Sequence, residues 1–463
     1  MESTSTPAQR WGFFAVVSLG LLMIGLDNSI LYTALPALER SLGAGPSEGL
    51  WIINAYPLAL AGLLLGTGTL GDRVGHRKMF LIGLGIFGVA SLGAAFAPGT
   101  AEMIAARAML GVGAAVMMPA TLALIRLTFS DERERNLAIG IWGAVAVVGG
   151  ALGPVVGGLL LEFFWVGSVF LINVPIVLLA LVLTVWLAPP NLPDPNKAWD
   201  VISSLYSLVA LSGLTMAIKQ AANTQSVALL VGSIVACVLG SWLFVRRQAR
   251  LDDPLLTFDI FRSRMFTGGV VAAAGGMFIM AGAELMTTQK LQLVDEFTPL
   301  KAGTTVVAMA VAAIPASTLG GAFLHKVGFM PLIAGGFALS VVGAGLLVVG
   351  ASSHSVLFEV VSLAVLGFAV GSVMSVSSIA IIGAAPMNRS GMAAGVEEVS
   401  YEFGTLTTVA LTGSLLQRGL DGGATYTESY ENVLFVLAVS AVVFAAATWW
   451  CFRDNPKSGS VNA

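Results

Sequence analysis

Charge is scarce in this chain. Asp, Glu, Lys and Arg make up 11% of 463 residues, while 56% are hydrophobic and the mean hydropathy is +0.88. That excludes a water-soluble globule, which needs far more charge on its surface. Cysteine is scarcer still: Cys237 and Cys451 both lie in apolar stretches, which argues against a disulfide framework or a thiolate metal site. The three histidines, His76, His325 and His354, are dispersed, without zinc- or haem-binding spacing. No HExxH, Ser/His dyad or intramembrane aspartate pair at catalytic spacing occurs, so the expectation is no enzyme, no metal and no cofactor. A net charge of -3 points to no macromolecular partner, and no nucleic acid is expected. The first ten residues are short and polar, with Arg10 before the first apolar run and no small-residue cleavage site after it. This predicts a retained first helix and not a signal peptide.

What the chain does have is apolar runs, each long enough to cross a hydrocarbon core of about 30 Å as a helix. They predict spans at 12–36, 49–70, 79–97, 101–128, 136–160, 165–187, 200–219, 226–246, 265–290, 301–324, 329–350, 356–384, 390–416 and 431–452. The count is fourteen, an all-α membrane protein with a lipid bilayer as its solvent. Its 54 glycines suit close helix packing in lipid. With the N-terminus in the cytoplasm, seventeen of the 23 Lys and Arg fall in inside loops and tails, Lys197 and Lys457 among them. Five, including Lys290, fall outside or at outer helix ends, and Arg107 alone lies within a span. Basic residues favour the cytoplasmic side, so both termini are expected there.

The proline-rich stretch Ala188–Ala198 marks a break after six spans, and a polar stretch at 246–264 separates spans eight and nine. The chain therefore divides into an N-terminal six-helix bundle at 1–190, an inserted helix pair with linkers at 191–264 and a C-terminal six-helix bundle at 265–463. A degenerate repeat supports this: GTLGDRVG from Gly68 aligns with GAFLHKVG from Gly321, and AIGIWG from Ala138 with AAGVEE from Ala393. Two six-helix halves with an extra pair between them is a transporter plan, with substrate expected near the bilayer midplane.

The densest chemistry lies in GVEEVSYEFGT, Gly395–Thr405, which carries Glu397, Glu398 and Glu402 into an otherwise apolar span. Each charge at a bilayer centre costs roughly 2.5–3.5 kcal/mol on insertion scales, so three together need protein or a wet cavity around them. Helical spacing sets Glu398 and Glu402 on one face, with Glu397 about 100° away. Asp27 and Glu284 occupy similar places ahead of the paired glycines Gly68 and Gly321, and are candidates for the same task. Arg107, buried in apolar sequence, needs an acidic partner, and Asp27 is the expected one. The fifth span gathers Gly149, Gly153, Pro154, Gly157 and Gly158, small residues for close approach and a proline that bends the helix.

LDNSILYTALP (Leu26–Pro36), GTLGDRVGHRK (Gly68–Lys78), RAMLGVGAA (Arg107–Ala115) and WGAVAVVGGALGPVVGG (Trp142–Gly158) occur in this order on the expected spans. Together with TTQKLQLVDEFTPLKAG (Thr287–Gly303) and the glutamate stretch, they resemble the major facilitator superfamily. The resemblance is specifically to its fourteen-span drug/proton antiporters of the QacA-like type. It covers essentially the whole chain and implies the major facilitator fold, two pseudo-symmetric six-helix bundles plus two extra helices, acting as a monomer in a bacterial cytoplasmic membrane.

The resemblance implies a proton-coupled antiporter that exports lipophilic organic cations by alternating access. Glu398 and Glu402 would be the coupling or substrate carboxylates, with Asp27, Glu397, Glu284 and Arg107 secondary. In such a site proton and cargo compete for one carboxylate, and protons are the coupling ion. Tyr32, Tyr56, Trp142 and Tyr401 are candidates for cation–π contacts. Gly68, Asp72, Arg73, Gly75, Arg77 and Lys78 match the signature loop, whose charges would clasp helix ends as a cytoplasmic gate. The chain departs from the subgroup at Asn54 in WIINAY, where relatives can carry an aspartate. An amide cannot titrate, and if that aspartate helps extrude divalent cations in relatives, the departure favours monovalent ones here. The alternative cargo is a neutral or zwitterionic metabolite, lipid or antibiotic.

Overall fold

The computed structural model describes residues 6–196, 199–222, 226–251, 254–353, 355–385 and 389–453, and these are helical almost throughout. His354, Lys197 and Lys457 lie outside the described residues. The helices are α1 (Pro7–Leu42), α2 (Pro46–Val74), α3 (His76–Ala95), α4 (Thr100–Thr128), α5 (Glu132–Phe163), α6 (Ser168–Leu171), α7 (Asn173–Leu187), α8 (Val201–Ala222) and α9 (Val227–Gln248). After a short 3-10 turn follow α10 (Arg264–Leu293), α11 (Pro299–Val327), α12 (Phe329–Ser353), α13 (Val356–Ala384), α14 (Ser390–Asp421) and α15 (Tyr426–Phe452). The ends obey local chemistry. Thr6 with Gln9 and Thr425 with Glu428 form capping boxes that satisfy first-turn N–H groups of α1 and α15. Gly43 ends α1 in a left-handed conformation.

Among the described residues, twelve helices are long and apolar enough to cross a membrane, with α6 and α7 counted as one. The apolar runs of the sequence predict fourteen. The two left over are α5, whose apolar part among the described residues is Val148–Phe163, and α14, which carries Glu397, Glu398 and Glu402. The expected sixth span is interrupted at Ile172, between α6 and α7.

The chain forms two compact units, Met1–Leu211 with Leu239–Leu255 and Ser212–Val238 with Leu256–Ala463. Each is built to the same plan. In the first, α1 packs on α5 and α7, α4 on α2 and α3, and α3 on α7. In the second, α10 packs on α14 and α15, α13 on α11 and α12, and α12 on α15. The glycines at the crossings repeat as well. A Cβ on Gly149 of α5 would meet the Leu22 carbonyl of α1 at 2.8 Å, and one on Gly404 of α14 would strike the Ala274 carbonyl of α10. Likewise Gly111 of α4 faces the Tyr56 carbonyl of α2, and Gly367 of α13 that of Met309 in α11. Backbone-to-backbone contact of this kind is available only where no side chain intervenes.

The N-terminal half of α8 belongs to the first unit, where Gly62 and Gly66 of α2 make room for Leu208 and Ser204. Polar groups tie it down: Ser203 Oγ donates to Asp200, Arg247 Nε to Asp200 at 2.9 Å and Gln248 Nε2 to Ser203 Oγ at 2.6 Å. Burial acts to raise the Asp200 carboxyl, but the bonds from Ser203 and Arg247 outweigh it and hold the group below the usual carboxylate range.

Candidate functional site

In the first unit a charged network lies fully inside protein. Arg107 of α4 is 0% exposed and donates from Nη1 to Asp27 of α1 at 2.5 Å, with Asp27 1% exposed. Its Nε donates to the Ile52 carbonyl of α2 at 3.2 Å, and its guanidinium lies 4.8 Å from the centre of the Tyr56 ring. Asp27 takes a second bond at 2.8 Å from Asn173, which also reaches Ser91 of α3 at 3.3 Å. A buried ion pair needs further hydrogen bonds to each ion; α2 supplies one to Arg107 and α7 one to Asp27, while Arg107 Nη2 has no hydrogen-bond partner among the described residues. The partnership expected between Arg107 and Asp27 is thus present. Asn173 and Ser91 were not anticipated. The available signal was one amide in the apolar run LINVPIVLL, two residues before Pro175.

Asn54 is 0% exposed, and neither its side-chain oxygen nor its nitrogen has a hydrogen-bond partner among the described residues. Tyr32 is buried, and half-buried Trp142 donates from Nε1 to Thr121 at 3.0 Å, tying α5 to α4. On α5, Gly149 and Gly153 fit against the backbone of α1, Gly157 lies against Ile30, and Pro154 and Gly158 are buried beside them.

The second unit holds the glutamates. On α14, Glu402 is buried, while Glu397 and Glu398 are half-buried. Glu398 lies within electrostatic reach of both others, and Tyr401 donates its hydroxyl to Glu397 at 2.7 Å. Glu284 of α10 is buried in the same unit.

Burial of basic residues reaches beyond Arg107, the one that the sequence sets deep in a span: Lys219 and Lys290, set at outer helix ends, are buried as well. Lys290 of α10, placed at an outer helix end by the sequence reading, is 0% exposed and contacts Glu359 of α13 and Asp295, each at 2.6 Å. Its position near the end of α10 hid it, because a lysine there ordinarily extends to water.

In the signature loop, Gly68 faces Pro119 of α4. Asp72 pairs with His76 at 3.0 Å, a residue outside the expected charge clasp. The i, i+4 spacing brings the imidazole within reach, and Arg77 turns away to donate to the Val185 carbonyl at 2.8 Å. Gly75 joins α2 to α3 at φ +96°.

The profile of the Major Facilitator Superfamily matches residues 17–288. The methyl viologen resistance protein SmvA of Salmonella typhimurium is 36% identical over 418 residues, covering 89% of this chain and 83% of the relative. The multidrug efflux pump LfrA of Mycolicibacterium smegmatis is 37% identical over 419 residues, covering 89% and 82%. The tetracenomycin C resistance and export protein of Streptomyces glaucescens is 31% identical over 415 residues, covering 88% and 76%. Among solved structures, a POT family transporter in complex with 5-aminolevulinic acid aligns over 97% of this chain and 98% of its own, with TM-score 0.71 and 14% identity, a likeness of fold. This chain belongs to the Major Facilitator Superfamily and is a multi-pass membrane transporter, not an enzyme.

Proposed function

We propose that this transporter is a proton-coupled antiporter that exports lipophilic organic cations from a bacterial cytoplasm. The observation that carries the reading is the carboxylate cluster of α14, where Glu398 lies between Glu397 and Glu402 on a largely apolar helix. Carboxylates at membrane depth bind protons or cations, and a site that accepts either but not both exchanges one for the other. Glu398 and Glu402 take the exchange role. Glu284, Glu397 and Asp27 are secondary, and Tyr401 positions Glu397. The names of the relatives, multidrug efflux and methyl viologen resistance, support export of cationic drugs. Asn54, in place of an acid, favours monovalent cargo over a dication such as methyl viologen.

The QacA-like fourteen-span form is part of the proposal. In it α5 and α14 cross the membrane as the partners of α1 and α10, and α8 with α9 is a pair inserted between two six-helix bundles. Both termini and the Gly68–Lys78 loop lie in the cytoplasm, where that loop gates access. The transporter works as a monomer without a bound cofactor.

The test is dequenching of a pH-sensitive dye in proteoliposomes under an imposed pH gradient, on addition of ethidium or methyl viologen. Ethidium is expected to trigger proton movement in the native protein, with at least a tenfold loss in Glu398→Gln or Glu402→Gln. Full activity in both variants would move the role to Glu284 and Asp27. No response of the native protein to any cation would favour a neutral or zwitterionic cargo.

A further inference from the structure

The proline-rich stretch after α7 and the turn between α2 and α3 are far apart in sequence but bonded together in the first unit. Asn191 donates from Nδ2 to the Val74 carbonyl at 2.8 Å and accepts at Oδ1 from the Lys78 N–H at 3.1 Å. One planar amide therefore bridges the turn. Val74 is the last residue of α2 and Lys78 the third of α3, so their backbone groups are among those that helix ends leave without internal partners. Three residues on from Asn191, the Asp194 N–H donates to the Asp72 carbonyl at 3.0 Å. From the other side, Arg77 holds the Val185 carbonyl near the end of α7 at 2.8 Å. At the centre lies Gly75, at a φ of +96°, and a Cβ there would collide with the Asn191 amide. Pro189, Pro190, Pro193 and Pro195 flank Asn191 and restrict the chain beforehand, which lowers the entropy lost on docking.

We propose that Ala188–Asp194 is a strap that locks the α2–α3 turn, and that Asn191 is a positioning residue for transport. The turn joins two long helices, and the chain beyond the strap runs on into α8. A change in the angle between α2 and α3 must break the Asn191 bonds. The strap therefore sets how fast the protein changes conformation and leaves cargo affinity alone. The lock itself is independent of what the cargo is; the kinetic effect rests on the antiporter reading above.

The experiment uses the full-length protein in nanodiscs, with hydrogen exchange followed by mass spectrometry on the peptide covering 71–80, and ethidium export in proteoliposomes. Asn191→Ala is expected to speed exchange of that peptide at least tenfold while peptides of α10–α13 stay unchanged. Maximal export should rise at least threefold, because the bonds that must break are already gone, with the half-saturating ethidium concentration within twofold of native. Asn191→Asp keeps the acceptor for the Lys78 N–H and loses the donor to Val74, so its exchange should lie between native and Asn191→Ala. Native exchange of the turn in Asn191→Ala would overturn the strap, as would a uniform rise over the whole chain, which marks general destabilisation. A raised half-saturation with unchanged maximal rate would overturn the positioning role. Should the native protein export no cation, the exchange measurement alone still decides the strap.

Discussion

A guanidinium with no exposure to water must have its charge balanced by protein alone. Arg107 does this through Asp27, and removing one partner leaves the other charged and buried, at a cost of about 3–5 kcal/mol. Arg107→Met should therefore lower the thermal unfolding midpoint in detergent sharply. Arg107→Met with Asp27→Asn should recover more than half of the loss, since neither member is then charged. A double variant no more stable than the single one would show that the pair's charges are not what matters. At the rim, Asp200 offers a pH test. Its carboxyl is held below the usual range in the folded state, so its contribution is complete above the unfolded value of about 3.9 and fades as pH falls through the lower folded value. Asp200→Asn should thus be less stable than native at pH 7, with the gap narrowing below about pH 4 when unfolding is followed by fluorescence. Residues were legible to the extent that their neighbours in sequence were apolar. Arg107 sits in such a run and its need for Asp27 followed; Lys290 stands among Gln289, Gln292 and a nearby helix end, and its burial did not.

At the scale of elements, the contact of α5 with α1 depends on glycine at some positions and not at others. A side chain on Gly153 would run into Ser29 and the Ile30 N–H, whereas one on Gly150 meets nothing within 4 Å. Gly153→Val should cost on the order of 1–3 kcal/mol through overpacking and push the helices apart, while Gly150→Ala should be neutral or slightly stabilising. Comparing unfolding midpoints of the two variants checks this, and equal losses would contradict the packing described. The glycine run itself was plain in the sequence. Which of its members touch α1 depends on how α5 is rotated about its axis, and only packing sets that rotation.

For the whole molecule, the matter to be decided is how many helices cross. Twelve qualify by length and apolarity among the described residues, and α5 and α14 are the proposed thirteenth and fourteenth. If α5 crosses, Asp131 before it and Trp165 after it, both exposed, lie on opposite sides of the membrane. Single cysteines at these two sites, with Cys237 and Cys451 replaced by serine, should react with an impermeant maleimide from opposite faces of sealed vesicles. Labelling of both from one face would remove α5 from the spans and overturn the count of fourteen.

The sequence by itself determined that this is a helical membrane protein, and its motifs placed it with the major facilitator transporters. Apolar run length, the scarcity of charge and a repeat near 250 residues are properties of the chain read in order, and the bilayer's thickness turns them into helices. It also marked the glutamates of α14, because acids in an apolar run stand out without any knowledge of their neighbours. Tertiary structure decided what depends on which distant residues meet: Asn173 completing the Asp27–Arg107 pair, Lys290 buried between Glu359 and Asp295, and Asn191 bridging the turn at Gly75. Each joins residues more than 60 positions apart or, for Asp295, depends on the chain doubling back on a helix end. Such contacts follow from how packed helices rotate and cross, and short-range periodicity carries no record of that.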